Sequence, residues 1–323
     1  IVKNQQTAGA LIMNYSGHAA EQSLSHEMVL KLSDFDGFTN KNLPLWMAAA
    51  CDVAPFDGTI KNIGENAVLN ANGGAVAFFA AGKTVYQPLN GQINRAFLRY
   101  ALNPVDGKRP TLGYALMQGK NSLNTTGSQA YINKVQYILL GDPAISLNFP
   151  LLKVVVDSIN RQVPSSDHLV NLKTGTIVSV CGHMEREGQV DDTFTGLVNM
   201  KVFDSKELVV CKGNDPLTTS IFQFYDRQKM LYNGTDSVKS GKFAMTFAVP
   251  QDINYSGETG KMTLYAYSSA SAEQGHGAEE RFLVSGGDVV DNDSIGPSIY
   301  CYLNSPSFVD GGDVNPSPYF VAN

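Results

Sequence analysis

The chain has little of what usually announces a mechanism. Its 323 residues hold four cysteines and five histidines, none at the short spacing that ligates zinc. No Gly-rich segment has the pattern of a phosphate-binding loop, which removes the common nucleotide-hydrolysing classes. No basic run supplies a phosphate-binding stripe, and 24 Lys and Arg against 30 Asp and Glu leave a formal charge of -6. That balance argues against nucleic acid as a partner. No apolar run approaches the roughly 20 residues of a membrane span, and no secretory signal opens the chain. The first residue is Ile1, not Met, so the chain is expected to be a piece of a longer precursor.

What is present is material for sizeable cores. Hydrophobic residues make up 43% and charged ones 17%, the balance of a soluble globular protein, and the length suggests two or three domains. Up to residue 150, apolar runs alternate with helical patterns. "ALIMNYSG", "LPLWMAAAC" and "AVAFFAAG" read as strands. "SHEMVLKLSDFDGF", "IGENAVLNANGG", "LNGQINRAFLRYAL" and "LGYALMQGKNSL" read as helices. The order βαβαβα predicts a mostly parallel sheet between helices over 1–150. From Leu151 the period drops to two, in "LKVVVDSI", "GTIVSVCGHM", "GLVNMKVFDS", "KFAMTFAVP" and "KMTLYAYSS". These runs predict an antiparallel β-sandwich over 151–287. The polar stretch "VSGGDVVDNDSIGPS" then marks a boundary, and 288–323 reads as the start of a further, incomplete β-domain.

The first strand runs through "LIMNYSGHAAE" and ends by presenting His18 beside a glycine. The second delivers Cys51 at its carboxyl end, where reactive groups collect in a doubly wound sheet. Their separation of 33 residues is about one βαβ unit, which sets two parallel strands side by side. An imidazole next to a thiol supplies a thiolate nucleophile, and the imidazolium then protonates the leaving amine. Backbone N–H groups of Cys51 and Ala19 are expected to form the oxyanion hole, flanked by the short side chains of Gly17 and Ala19. Each residue also has a bland reading: a terminal Cys is commonly a small buried residue, and a turn His is commonly solvated. Glu21 is a candidate for orienting His18 or a substrate amine, against a solvated turn carboxylate. His26 reads as a solvated helix residue, and His168, His183 and His276 as structural or exposed. Cys181, Cys211 and Cys301 stay in reserve; a Cys181–Cys211 bridge is conceivable, but a small apolar residue would serve equally in their strands.

At these residues the sequence resembles a known family. "NYSGHAAE", "AAACDVAPFDG", "IGENAVLNANGGAVAFFAAGKTVY" and "YILLGDPAISL" occur in the order found in the gingipain family of cysteine peptidases. Within it the match is nearest the sortase branch, the PorU-like peptidases of the type IX secretion system of Bacteroidetes. "GNDP", "VPQDINYS" and "YLNSPSFVDGG" resemble the β-domains that follow the peptidase unit there. The resemblance implies the C-terminal part of a caspase-like α/β fold, with His18 and Cys51 as the catalytic dyad. It implies a third, acidic catalytic residue upstream of Ile1, and it departs from the family in having Ala19 where Gly usually follows the histidine. It also implies an exported protein at the bacterial cell surface or outer membrane. There it would cut C-terminal targeting domains from secreted cargo through a Cys51 thioester, with other type IX secretion components as partners and the β-domains as docking modules. The alternatives are a secreted gingipain-like protease that hydrolyses proteins and a non-catalytic surface binding protein with a relic dyad. The residues themselves call for no cofactor; the resemblance adds calcium, for which "DVVDNDS" supplies acidic oxygens.

Overall fold

The computed structural model describes residues 2–124, 126–213, 219–254, 256–286, 301–305, 308 and 317–322. The chain divides into two compact units, Ile1–Leu151 and Leu152–Asn323. The boundary expected at residue 288 lies outside the described residues, as does the acidic stretch 288–294.

The first unit runs α1 (Val2–Ala8), β1 (Ile12–Ser16), β2 (Ala19–Ala20), β3 (Ser23–Leu24), β4 (Leu30–Lys31), α2 (Leu32–Asp36), β5 (Leu45–Ala49), α3 (Ile63–Leu69), β6 (Ala77–Ala81), α4 (Leu89–Leu102), α5 (Leu112–Asn121), α6 (Ser128–Gln136) and β7 (Tyr137–Gly141). Its main sheet has the order β1-β5-β6-β7. β1, β5 and β6 are parallel and β7 runs against them. Every residue of β5 and β6 is buried, because helices cover both faces; hence the unbroken apolar runs in the sequence.

On one face Trp46 stacks on Phe78 at 6.0 Å and Phe35 of α2 meets the Trp46 ring edge-on at 5.2 Å. On the other, Phe79 stacks on Phe97 of α4 at 4.1 Å. A buried aromatic of this kind contributes about 1.5–3 kcal/mol through burial alone. α4 turns Ile93, Phe97 and Ala101 inward at helical spacing. Gly119 lets α5 lie close to it, since a Cβ there would stand 3.2 Å from the Phe97 backbone. Caps set the starts of the helices: the Asn62 side chain accepts from the Glu65 N–H ahead of α3, and Thr111 accepts from Tyr114 ahead of α5.

One expected helix is largely absent. Of 25–38, only Leu32–Asp36 is helical. β2, β3 and β4 form a small antiparallel sheet instead. The link between β3 and β4 turns through Ser25 at φ 64° and Met28 at φ 55°, left-handed values that a helix excludes. His26 therefore sits in a loop and not on a helix.

The second unit holds β8 (Leu152–Ile159), β9 (Val170–Lys173), β10 (Ile177–Arg186), β11 (Gln189–Val190), β12 (Gly196–Phe203), β13 (Glu207–Val210), β14 (Gln223–Asp226), β15 (Met230–Val238), β16 (Lys242–Ala248), β17 (Lys261–Tyr267), β18 (Gln274–Glu279), β19 (Phe282–Ser285), β20 (Cys301–Leu303) and β21 (Phe320–Ala322). An eight-stranded sheet follows the path β11-β10-β8-β18-β17-β12-β15, with β16 also on β10. β15 and β16, at its two ends, are consecutive and joined by a tight turn bridged from Lys239 to Lys242. The sheet thus curls over one apolar core that includes Val180, Met200, Phe247 and Phe282. Not every pairing is antiparallel as the period-two runs suggested: β8 lies parallel to β18, and β9 to β19.

Candidate active site

The site grows out of one register. β1 and β5 pair from Ile12↔Leu45 to Ser16↔Ala49, a constant offset of 33, and the Gly17 N–H continues the ladder to the Ala49 carbonyl at 3.4 Å. His18 and Cys51 differ by the same 33. The pairing ends at Ser16↔Ala49, so each residue lies two positions past its strand at the carboxyl edge of neighbouring strands, which run about 4.8 Å apart. Leu45, Met47 and Cys51 pack on the α4 side of the sheet. Ile12 packs there too, and the Asn14 side chain accepts from Asn94 of α4 at 3.0 Å.

The turn that carries His18 is tied from both sides. Its carbonyl accepts from the Tyr15 hydroxyl at 2.6 Å and from the Ser25 N–H at 2.8 Å. A Cβ at residue 17 would stand 2.6 Å from the Tyr15 oxygen, so glycine is what lets that ring fold over the turn. Burial pushes the Tyr15 hydroxyl up, and the charge of Glu27 adds to the effect. The His18 ring is exposed, and among the described residues neither of its nitrogens is hydrogen-bonded.

Cys51 is half-buried and not in a disulfide. Its thiol faces the backbone of Val85, in the loop after β6: Sγ donates to the Val85 carbonyl at 3.3 Å and accepts from its N–H at 3.5 Å. Asp52, at φ 53°, turns the chain away at once, and its carboxylate accepts from the Thr84 hydroxyl at 3.1 Å.

Two backbone N–H groups bear on the expected oxyanion hole. That of Cys51 has no protein acceptor among the described residues. In the β2–β3 hairpin, Ala20↔Ser23 flanks the tip and the Ser25 N–H bonds the His18 carbonyl. Ala19↔Leu24 is then the alternate, non-hydrogen-bonded pair, and the Ala19 N–H points away from β3.

Residues 1–148 match the model of peptidase family C25. Among solved structures the chain is similar to dimeric latent PorU from Porphyromonas gingivalis, at 30% identity over 77% of this chain and 24% of that one, with a TM-score of 0.45. The complex of Porphyromonas gingivalis RgpB pro- and mature domains matches at 14% identity over 88% and 56%, TM-score 0.43. The Arg-specific cysteine proteinase gingipain R matches at 14% over 88% and 55%, TM-score 0.42. This chain therefore spans about a quarter of the first and just over half of the other two. A search of curated proteins returns no match.

Glu21 stands at the tip of the β2–β3 hairpin. Its carbonyl accepts from the Ile63 N–H at 2.9 Å, and its charge acts on Lys83. The Lys83 ammonium is held up chiefly by its 2.7 Å contact with Asp57, with Asp52 and Glu21 adding. A carboxylate absent from the sequence reading, Glu27, lies near the two histidines of this hairpin. Its own N–H and the Ser25 hydroxyl hold its carboxyl below the usual range, and His26 and His18 add to this. The sole sequence cue was an acidic residue close behind the histidine, hidden by reading the segment as helix.

Among the described residues no group of three or more His, Cys, Asp and Glu could hold a metal. Cys181, Cys211 and Cys301 are free thiols, so the conceivable Cys181–Cys211 bridge is not formed. His183 pairs with Asp157 at 2.8 Å on the outer face of β10.

Proposed function

We propose that this protein is a cysteine endopeptidase and transpeptidase of gingipain type, with Cys51 as nucleophile and His18 as general base and then acid. The observation that supports this reading is the shared offset of 33, which puts His18 and Cys51 each two residues past the end of neighbouring parallel strands, within the stretch that matches peptidase family C25. The imidazole takes the thiol proton, the sulfur attacks the scissile carbonyl, and the N–H groups of Ala19 and Cys51 receive the oxyanion. Collapse expels the amine with the proton from His18 and leaves a thioester. Water or a second amine then takes the acyl group, so protease and sortase differ only in the acceptor.

The sortase reading is supported by the motifs shared with the PorU-like branch. On it, the protein is exported to the bacterial surface, cuts targeting domains from type IX cargo and passes the new carboxyl terminus to an acceptor. The second unit, together with a further β-domain from residue 288, serves for docking cargo or other secretion components. No helix among the described residues is long and apolar enough to cross a membrane.

The test is product analysis. The full-length protein is incubated with a cargo protein bearing its C-terminal domain, with and without an added amine, and the new carboxyl terminus is read by mass spectrometry. Amine adducts support transfer, hydrolysis alone leaves a protease, and cleavage unchanged in Cys51→Ala removes the dyad from the mechanism.

A further inference from the structure

Tyr137 opens β7, which runs against its neighbours and so brings its first residue, not its last, to the edge where Cys51 lies. It pairs with Ala81 across β6. Its ring is fully buried on the α4 side, tilted against Phe79 at 5.2 Å, in the same cluster that Cys51 packs on. Yet among the described residues its hydroxyl is buried with no hydrogen-bond partner, an arrangement that ordinarily destabilises a fold. Burial pushes the phenol up, and the one charge that acts on it is that of Cys51.

The resting thiol explains why such a group would be kept. The thiol donates a hydrogen bond to the Val85 carbonyl. When that proton leaves for His18, the carbonyl oxygen becomes an unfavourable neighbour for an anionic sulfur, which retains one donor, the Val85 N–H. A second donor on the same face restores the balance.

We propose that Tyr137 is a positioning residue whose hydroxyl donates to the Cys51 sulfur once the thiol has ionised. The segment that bears it also fixes the other donor. Asn133, four residues earlier, is buried and clamps both backbone groups of Tyr86, accepting from its N–H at 2.8 Å and donating to its carbonyl at 3.1 Å. Val85 is thereby held against the sulfur, so α6 and β7 together form the rear wall of the thiol. This inference rests on the reading of Cys51 as a nucleophile.

The test measures the sulfur directly. In the full-length protein, iodoacetamide alkylation of the Cys51-containing peptide is followed by mass spectrometry at pH 7 and at pH 10, for wild type and Tyr137→Phe. Loss of a donor to the thiolate is expected to slow the reaction about tenfold at pH 7, where thiolate is scarce, and to leave it within about twofold at pH 10, where thiols are ionised. Thermal unfolding shows whether the variant is folded, and removal of an orphan hydroxyl should not lower its midpoint. Equal rates at both pH values would mean that the hydroxyl is satisfied by water or by nothing, and would overturn the proposal. An equal fall at both would mean altered access, and would overturn it too. Cleavage of cargo by Cys51→Ala would defeat the peptidase reading while leaving the alkylation result to stand on its own.

Discussion

The Tyr15 hydroxyl donates to the carbonyl of His18, three residues further along the same chain, at 2.6 Å. A strand residue thus holds the turn that its own strand leads into. Tyr15→Phe removes this tie without removing the ring. We expect a stability loss of about 0.5–1.5 kcal/mol, the net worth of one hydrogen bond, and a larger fall in kcat than in KM, because the histidine is displaced and the substrate pocket is not. Gly17→Ala should behave alike, since its Cβ would meet the same oxygen at 2.6 Å. Equal kcat in wild type and both variants would show that the turn needs no such tie.

Cys51→Ser keeps the shape of the site and replaces the thiol with a hydroxyl that ionises far less readily under the same base. Processing of cargo should fall to background while the melting temperature stays within a few degrees of wild type. A serine variant with wild-type turnover would exclude thiolate attack.

The oxyanion donors can be separated from the fold. Ala19→Gly retains the N–H and should keep near-native activity. Ala19→Val crowds the approach to the attacked carbonyl and should lower kcat/KM by about tenfold to a hundredfold, or about 1.4–2.7 kcal/mol in the barrier. Steady-state kinetics on the two variants decides it: matching values would place this N–H outside the site.

In the second unit, Asp191 is buried and accepts from the Thr193 hydroxyl at 2.5 Å and from Arg186 at 2.8 and 3.0 Å. The Thr193 hydroxyl foremost, then Arg186, holds its carboxyl below the usual range, against burial. A carboxyl lowered in the folded state adds stability above the unfolded value of about 3.9, and that stability is lost as the pH falls through the folded value. Denaturant melts should therefore show the second unit weakening below about pH 4, and Asp191→Asn should flatten that slope. An unchanged slope in the variant would assign the acid sensitivity to other groups.

Much of this was legible because parallel strands buried on both faces write themselves as apolar runs. "LPLWMAAAC" and "AVAFFAAG" could hardly be anything else, and the spacing of His18 and Cys51 follows from a βαβ unit alone. The small sheet of β2, β3 and β4 could not be read, since strands of two residues leave no period to detect. Its turn borrowed the look of a helix start from "SHEMVLKL" and so concealed Glu27. Val85 and Tyr137 were invisible for another reason. They reach Cys51 from 34 and 86 residues away, through a backbone contact and an unpaired hydroxyl, neither of which leaves a local pattern.

The reversed direction of β7 has a consequence for engineering. In a fully parallel sheet, the chain reaches the reactive edge by leaving a strand, and the sequence after that strand tunes the chemistry. Here it arrives by entering one, so the length and composition of the connection ahead of α6 set where Asn133 and Tyr137 come to rest. Reactivity of the sulfur becomes adjustable from a surface loop distant in sequence from "AAACD", and insertions there offer a handle on rate that leaves the residues touching substrate unchanged.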